Sequence, residues 1–384
     1  MKQLPNSPAP NIVKATILEG NDRYDDVIYE YLPDALDRIE QDEAAQRFHL
    51  YCQNGLLLSV EVLSPTILRF RYAPIGQLAH DFSYAIDPAF QKESVKVTLE
   101  ETKAQVIIRT EQLSCHIDRQ RLGVQIRNEA GQIINEDASG YLAEATLQNG
   151  TTQVRMAKRT QANESFFGLG DKSTTLDLKG KRLENWATDA FGYTADTDPL
   201  YRAIPFYFGL HQGVGYGIFF DNSYRSFFQF GESHQQETSF AAEGGELNYY
   251  FIYGPQLNRV AAQFAQLTGR AELPPMWALG FHQCRWSYYP EQRVRDLAAS
   301  FRKLAIPCDA IYLDIDYMDG YRCFTVNKEY FPDLKRLVSD LKADGFSMVV
   351  MIDPGIRVDP DYHVYAEGTE QGVWCKRADG SDRP

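Results

Sequence analysis

Nothing in this 384-residue sequence spaces its cysteines as a metal or redox motif would. Cys52, Cys115, Cys284, Cys308, Cys323 and Cys375 are scattered, with no Cys-x-x-Cys pair and no Cys/His cluster at ligand spacing. Scattered thiols in a long chain read as reduced core residues, so the sequence predicts a cytoplasmic protein with no metal and no cofactor. Excess positive charge is absent too. The formal net charge is −13, which repels phosphate backbones and anionic lipid surfaces, so neither nucleic acid nor membrane is an expected partner. There is no run of about 18 apolar residues to span a bilayer. Met1-Lys2-Gln3-Leu4-Pro5 leads into polar sequence rather than an apolar segment, so no secretory signal is expected. No repeat of 34 or 40 residues stands out.

What is present is ordinary globular material rich in rings: 44% hydrophobic, 24% charged, 23 Tyr and 22 Phe. Strand packing accounts for most of these aromatics, because flat rings sit well on a pleated surface. Residues 1–45 are acidic and mixed and carry no assignable pattern. From 46 to about 255 the chain runs in short alternating stretches, such as Val95, Val97, Leu99 and later Leu113, Cys115, Ile117. Turn signals such as Asn128-Glu129-Ala130-Gly131 separate them, which predicts a β-sandwich or barrel over 46–255.

Leu257 to Leu267 reads as a helix, and Pro274-Pro275 marks a domain boundary. Beyond it the pattern alternates strand and helix. Strands are predicted from Ala278 to near Trp286, at Ala310–Leu313, and at Met348–Ile352. Helices start at Pro290, with Val294, Leu297, Ala298, Phe301 and Leu304 on one stripe, and at Pro332, with Leu334, Leu337, Val338 and Leu341. The third strand is apolar throughout, as in a parallel sheet covered on both faces. No Gly-x-Gly-x-x-Gly turn follows the first strand, so a dinucleotide fold lacks its fingerprint. Residues 273–384 hold about three βα units of an eight-fold barrel, which needs about 250 residues in full.

In such barrels, chemistry sits at the C-terminal ends of the strands. Here those ends read His282-Gln283-Cys284-Arg285-Trp286, Asp314-Ile315-Asp316-Tyr317-Met318-Asp319 and Asp353-Pro354-Gly355-Ile356. Carboxylates there can hold a metal, act as acid or base, accept hydrogen bonds from sugar hydroxyls, or cap loops. On a strand, Asp314 and Asp316 would point to opposite faces, which argues against a shared metal site. A rim Trp favours a sugar, whose C–H face packs on an aromatic plane.

Leu279-Gly280-Phe281-His282-Gln283-Cys284-Arg285-Trp286-Ser287-Tyr288 resembles the first barrel strand of glycoside hydrolase family 31. Leu313 to Arg322 with Phe324-Thr325 resembles its second strand and loop, and Ile352-Asp353-Pro354-Gly355-Ile356 its third. Phe166-Phe167-Gly168-Leu169-Gly170-Asp171-Lys172 is similar to that family's Gly-Leu-Gly-Glu segment. Asn185-Trp186-Ala187-Thr188-Asp189 is similar to its sandwich loop that reaches the active site. The resemblance implies a galactose-mutarotase-like β-sandwich followed by a (β/α)8 barrel. It implies a retaining α-glucosidase acting on terminal α-linked glucose of oligosaccharides. The same resemblance leaves α-xylosidase, or a non-catalytic carbohydrate-binding or interaction module, as alternatives. It makes Asp314 and Asp189 acceptors for sugar hydroxyls and Trp286, Ile315 and Ile356 wall residues of that subsite, with Asp316 and Asp353 supporting them. The family's nucleophile sits in a Trp-x-Asp-Met-like motif. None of Trp186, Trp277, Trp286 and Trp374 is followed two places on by Asp. The nucleophile and the acid/base are therefore expected to be missing here, leaving the chain inactive by itself as the front part of an enzyme cut inside its barrel.

Overall fold

The computed structural model describes residues 14–17, 27–146, 150–231, 236–377 and 379–381. Much of the unassigned N-terminal stretch, and the closing Asp382–Pro384, fall outside them. The chain divides into two compact units, Met1–Arg270 and Ala271–Pro384.

The first unit is a sandwich of two sheets. One runs, in spatial order, Ser165–Gly170, Ala203–His211, Val214–Phe220, Leu247–Gly254, Ile67–Ala73, Leu57–Ser64, Arg47–Cys52 and Leu36–Asp42. Its neighbours pair antiparallel. The second sheet extends from Arg182–Asn185 through Ser226–Phe230, Glu237–Ala242, Gly150–Arg159 and Ile133–Thr146 to Thr98–Glu101. Where one face meets solvent, burial alternates, as in Arg47–Cys52 and Val124–Asn128. Four strands at the centre of the first sheet are buried at every position: Leu57–Ser64, Ile67–Ala73, Val214–Phe220 and Leu247–Gly254. Their inner face joins the core with Phe70, Tyr249 and Phe251. The outer face of Val214–Phe220 and Leu247–Gly254 is roofed by helix α1 (Leu257–Thr268), whose Val260 and Leu267 pack with Ile67, Phe206, Phe219 and Ile252. On the other two strands, Glu61, Arg69 and Arg71 are covered by ion pairs with Lys92, Asp81 and Glu246. Helix α1 therefore belongs to the sandwich unit.

That unit also starts earlier than residue 46. Leu36–Asp42 pairs with Arg47–Cys52, and Val27–Tyr31 pairs with Ile133–Thr146. Leu36–Asp42 escapes sequence patterning because it is an edge strand: only Leu36 is buried, while Arg38, Glu40 and Asp42 face solvent.

The second unit holds three parallel strands, His282–Gln283, Ala310–Leu313 and Ser347–Val350, in that order. Helices α2 (Glu291–Lys303) and α3 (Leu334–Ala343) bury Val294, Ala298, Leu337 and Leu341 in one core with Ile311, Leu313 and Phe331. The Asp333 side chain caps α3 by accepting from the Arg336 amide, so the helix begins two residues after Pro332. Three expectations change. The strand expected from Ala278 is preceded by a 3-10 turn, Met276–Leu279, which Pro275 opens, and only His282–Gln283 pairs. The third strand ends at Val350, and its residues are half-buried to exposed, because it is the edge of the three-stranded sheet. A further helix, α4 (His363–Gln371), has too weak an apolar stripe to show in the sequence.

Candidate active site

Parallel strands deliver their C-terminal ends to one rim, and this rim carries the polar residues of the barrel unit. The strand Ala310–Leu313 stops at Leu313. Asp314 then caps a 3-10 turn, Ile315–Tyr317, by accepting at 2.8 Å from the Ile315 amide. Alternation along a strand therefore does not govern Asp314 and Asp316, contrary to expectation.

Asp316 is a hub. One carboxylate oxygen accepts from Trp286 Nε1 at 3.0 Å and from Ser287 Oγ at 2.6 Å. The other accepts from the Tyr321 hydroxyl at 3.3 Å. The Asp316 charge, more than burial, raises the Tyr321 phenol above its ordinary value. An indole 72% exposed to solvent is thus fixed at its N–H end by a charged acceptor, and its broad apolar faces stay open. Such a fixed, exposed ring is what a pyranose C–H face needs. Behind it, Gln283 Nε2 donates to the buried Tyr288 hydroxyl at 2.7 Å.

Cys284 stands beside Asp314. Partial burial first, and then the Asp314 charge, raise its thiol pKa. Ile315 and Ile356 are half-buried against the barrel core rather than free in the rim. The segment after the third strand is held from below. The buried Cys323 thiol donates to the Ile352 carbonyl at 3.2 Å, and the Tyr362 hydroxyl donates to the Cys323 carbonyl at 2.5 Å. Asp353 adopts φ +44° there. Arg322 pairs with Asp359 at 2.7 Å, which holds that carboxyl below its usual range.

In the sandwich unit, the strand Arg182–Asn185 runs into Trp186-Ala187-Thr188-Asp189. The Thr188 amide donates to the Leu200 carbonyl at 2.9 Å. Desolvation, and after it Asp189, raise the pKa of the Tyr201 phenol, to which Asp189 is hydrogen bonded. Trp186, Phe191, Tyr193 and Tyr201 are all exposed on this loop. The Gly168-Leu169-Gly170 motif that precedes it forms a bulge. Gly168 has φ +123°, and a Cβ there would sit 2.6 Å from the Phe206 carbonyl.

Two family descriptions match this chain. Residues 57–229 match the glycosyl hydrolase 31 N-terminal galactose mutarotase-like domain, and residues 271–383 match the glycosyl hydrolases family 31 TIM-barrel domain. The chain belongs to glycoside hydrolase family 31. Its fold is accordingly the mutarotase-like sandwich followed by the first part of a TIM barrel.

Among its relatives is alpha-glucosidase 2 of Bacillus thermoamyloliquefaciens, 36% identical over 335 residues, covering 87% of this chain and 42% of the relative. The alpha-glucosidase of Saccharolobus solfataricus is 33% identical over 235 residues, covering 61% of this chain and 34% of the relative. Among solved structures, a Flavobacterium johnsoniae family 31 dextranase complexed with isomaltotriose superposes with a TM-score of 0.81 at 30% identity, over 92% of this chain and 42% of the dextranase. The chain thus spans under half the length of these relatives.

For this family 31 chain the structure joins Trp286 to Asp316 and sets Asp314 beside Cys284. Ser287 and Tyr321 went unnoticed in the sequence. Both are ordinary polar residues there, and only the fold points their hydroxyls at Asp316.

Proposed function

We propose that the protein to which this chain belongs is a retaining α-glucosidase that removes terminal α-linked glucose from oligosaccharides. The observation that carries the reading is the Asp316-anchored Trp286 ring on the rim that also bears Asp314. The ring supplies a platform for a sugar face, and Asp314 retains an oxygen beyond its cap bond to accept from outer hydroxyls. The family resemblance assigns Ile315 and Ile356, whose side chains pack half-buried on the barrel core, as apolar wall beside Asp314, and assigns Asp189 separately as a hydroxyl acceptor. The α-glucosidase relatives and the dextranase holding isomaltotriose support a gluco-oligosaccharide as substrate.

Retaining cleavage needs a carboxylate nucleophile and a second carboxyl as acid/base. No Trp-x-Asp-Met segment occurs in the 384 residues. The pair is therefore assigned outside them, and the chain by itself is expected not to hydrolyse glycosides. A cytoplasmic location belongs to the same proposal and is supported by six unpaired cysteines, four of them buried.

The test is the ratio of activities of the whole enzyme on nitrophenyl α-glucoside and nitrophenyl α-xyloside. Ile315 and Asp316 resemble the α-glucosidase version of their strand, so the glucoside should be strongly preferred. A clear xyloside preference would overturn the substrate assignment.

A further inference from the structure

The loop that follows Asn185 is tied shut at its neck, and the tie comes from the Asp171–Thr174 segment just after the Gly168–Gly170 bulge. The Lys172 side chain is 5% exposed. Its Nζ donates to the Glu184 carbonyl at 2.5 Å, on the strand leading into the loop, and to Asp198 Oδ1 at 2.6 Å, where the loop returns. The other Asp198 oxygen accepts from the Glu184 amide at 2.5 Å. One ammonium and one carboxylate thus join both ends.

The next residues extend the closure. The Asp196 amide donates to the Ser173 carbonyl at 3.2 Å, and Ser173 Oγ donates to the Thr197 carbonyl at 3.0 Å. Thr174 Oγ1 donates to Asp196 Oδ1 at 2.9 Å, and Arg202, just past the loop, pairs with Asp171 at 2.9 Å. The tip contrasts with this neck: Phe191 is 96% exposed. Burying an ammonium costs several kcal/mol unless it is well paired. Neutral contacts would suffice to fold a surface loop back. A buried ion pair at this place fixes one loop register rather than several.

We infer that Lys172 and Asp198 are positioning residues, which set the register in which the loop presents Asp189 to the sugar. The inference rests on the proposed role of Asp189 as a hydroxyl acceptor. It assigns no contact with substrate to Lys172 or Asp198 themselves.

A double-mutant cycle in the whole enzyme tests it, using Lys172→Met, Asp189→Ala and the two combined, on nitrophenyl α-glucoside. Each single change should lower kcat/KM by roughly 10- to 100-fold, because a misplaced contact of about 1 Å costs that much. In the Asp189→Ala background, Lys172→Met should cost less than about twofold more, since the residues act through one interaction. Additive losses overturn the positioning role while leaving Asp189 in place. No loss from Asp189→Ala overturns both. Should Lys172→Met not fold, Asp198→Asn, which keeps the side-chain shape, takes its place in the cycle. In the 384-residue chain, Asp198→Asn should also speed hydrogen exchange in peptides covering 186–197 and leave Leu57–Ser64 protected. Unchanged exchange in that loop counts against the clamp.

Discussion

Asp314 does two jobs with two oxygens. Oδ1 caps the Ile315–Tyr317 turn, and the carboxylate charge reaches Cys284. Asparagine keeps an acceptor for the cap and removes the charge. Asp314→Asn should therefore leave the melting temperature nearly unchanged and lower kcat/KM of the whole enzyme more than about tenfold, the size expected for a charged hydrogen bond to substrate. The same change has a readout in the chain alone. Cys284 loses one of the two influences that raise its pKa, so more thiolate is present at a given pH and alkylation by iodoacetamide near pH 8 should speed up. Cys375, also exposed, provides the internal reference. Peptide mass spectrometry that finds equal alkylation rates at Cys284 before and after the substitution would sever the link between the two residues.

At the scale of elements, α1 buries the second face of Val214–Phe220 and Leu247–Gly254 in the first sheet. Its Leu267 is fully buried against that sheet, and its Phe264 stacks on Phe206 with centroids 4.0 Å apart. Leu267→Ala removes packed atoms and leaves a cavity, so it should destabilise the sandwich unit by roughly 2–5 kcal/mol in urea unfolding. A change below about 1 kcal/mol would mean that the roof is dispensable and that the strands hold without it. The opposite situation holds at Ser347–Val350. That strand has one neighbour, its Val350 is 38% exposed, and Met351 and Ile352 beyond it are exposed as well. An apolar edge of this kind is a site for unwanted strand pairing.

At the scale of the molecule, two units follow one another along the chain, and the sequence that joins them is exposed. Leu273 and Met276 are more than four-fifths exposed, and Arg270 precedes them as a trypsin site. Brief trypsin treatment should release a stable fragment that ends at Arg270 and retains α1. A major product ending before Leu257 would show instead that α1 does not belong to the sandwich in solution.

The sequence by itself determined the kinds of element and the family. Alternation of period two marked the sandwich, single apolar stripes marked α2 and α3, and the rim motifs of the barrel strands carried the resemblance to family 31. These signals are local, because side-chain periodicity follows from backbone geometry alone. Tertiary structure decided what depends on neighbours distant in the chain. Polar Leu36–Asp42 became a strand because an edge needs only one covered side. The Leu247–Gly254 strand lost its alternation because α1 covers its second face, and Leu57–Ser64 lost it because Arg47, Arg69 and Lys92 converge on Glu61 there. Asp316, which the sequence ranked behind Asp314, became the anchor of Trp286 because Ser287 and Tyr321 converge on it through the fold. Lys172 showed no more in the sequence than a charged residue after a glycine motif. Its burial between Glu184 and Asp198, 12 and 26 residues further on, is what turns it into the tie at the neck of the Asp189 loop.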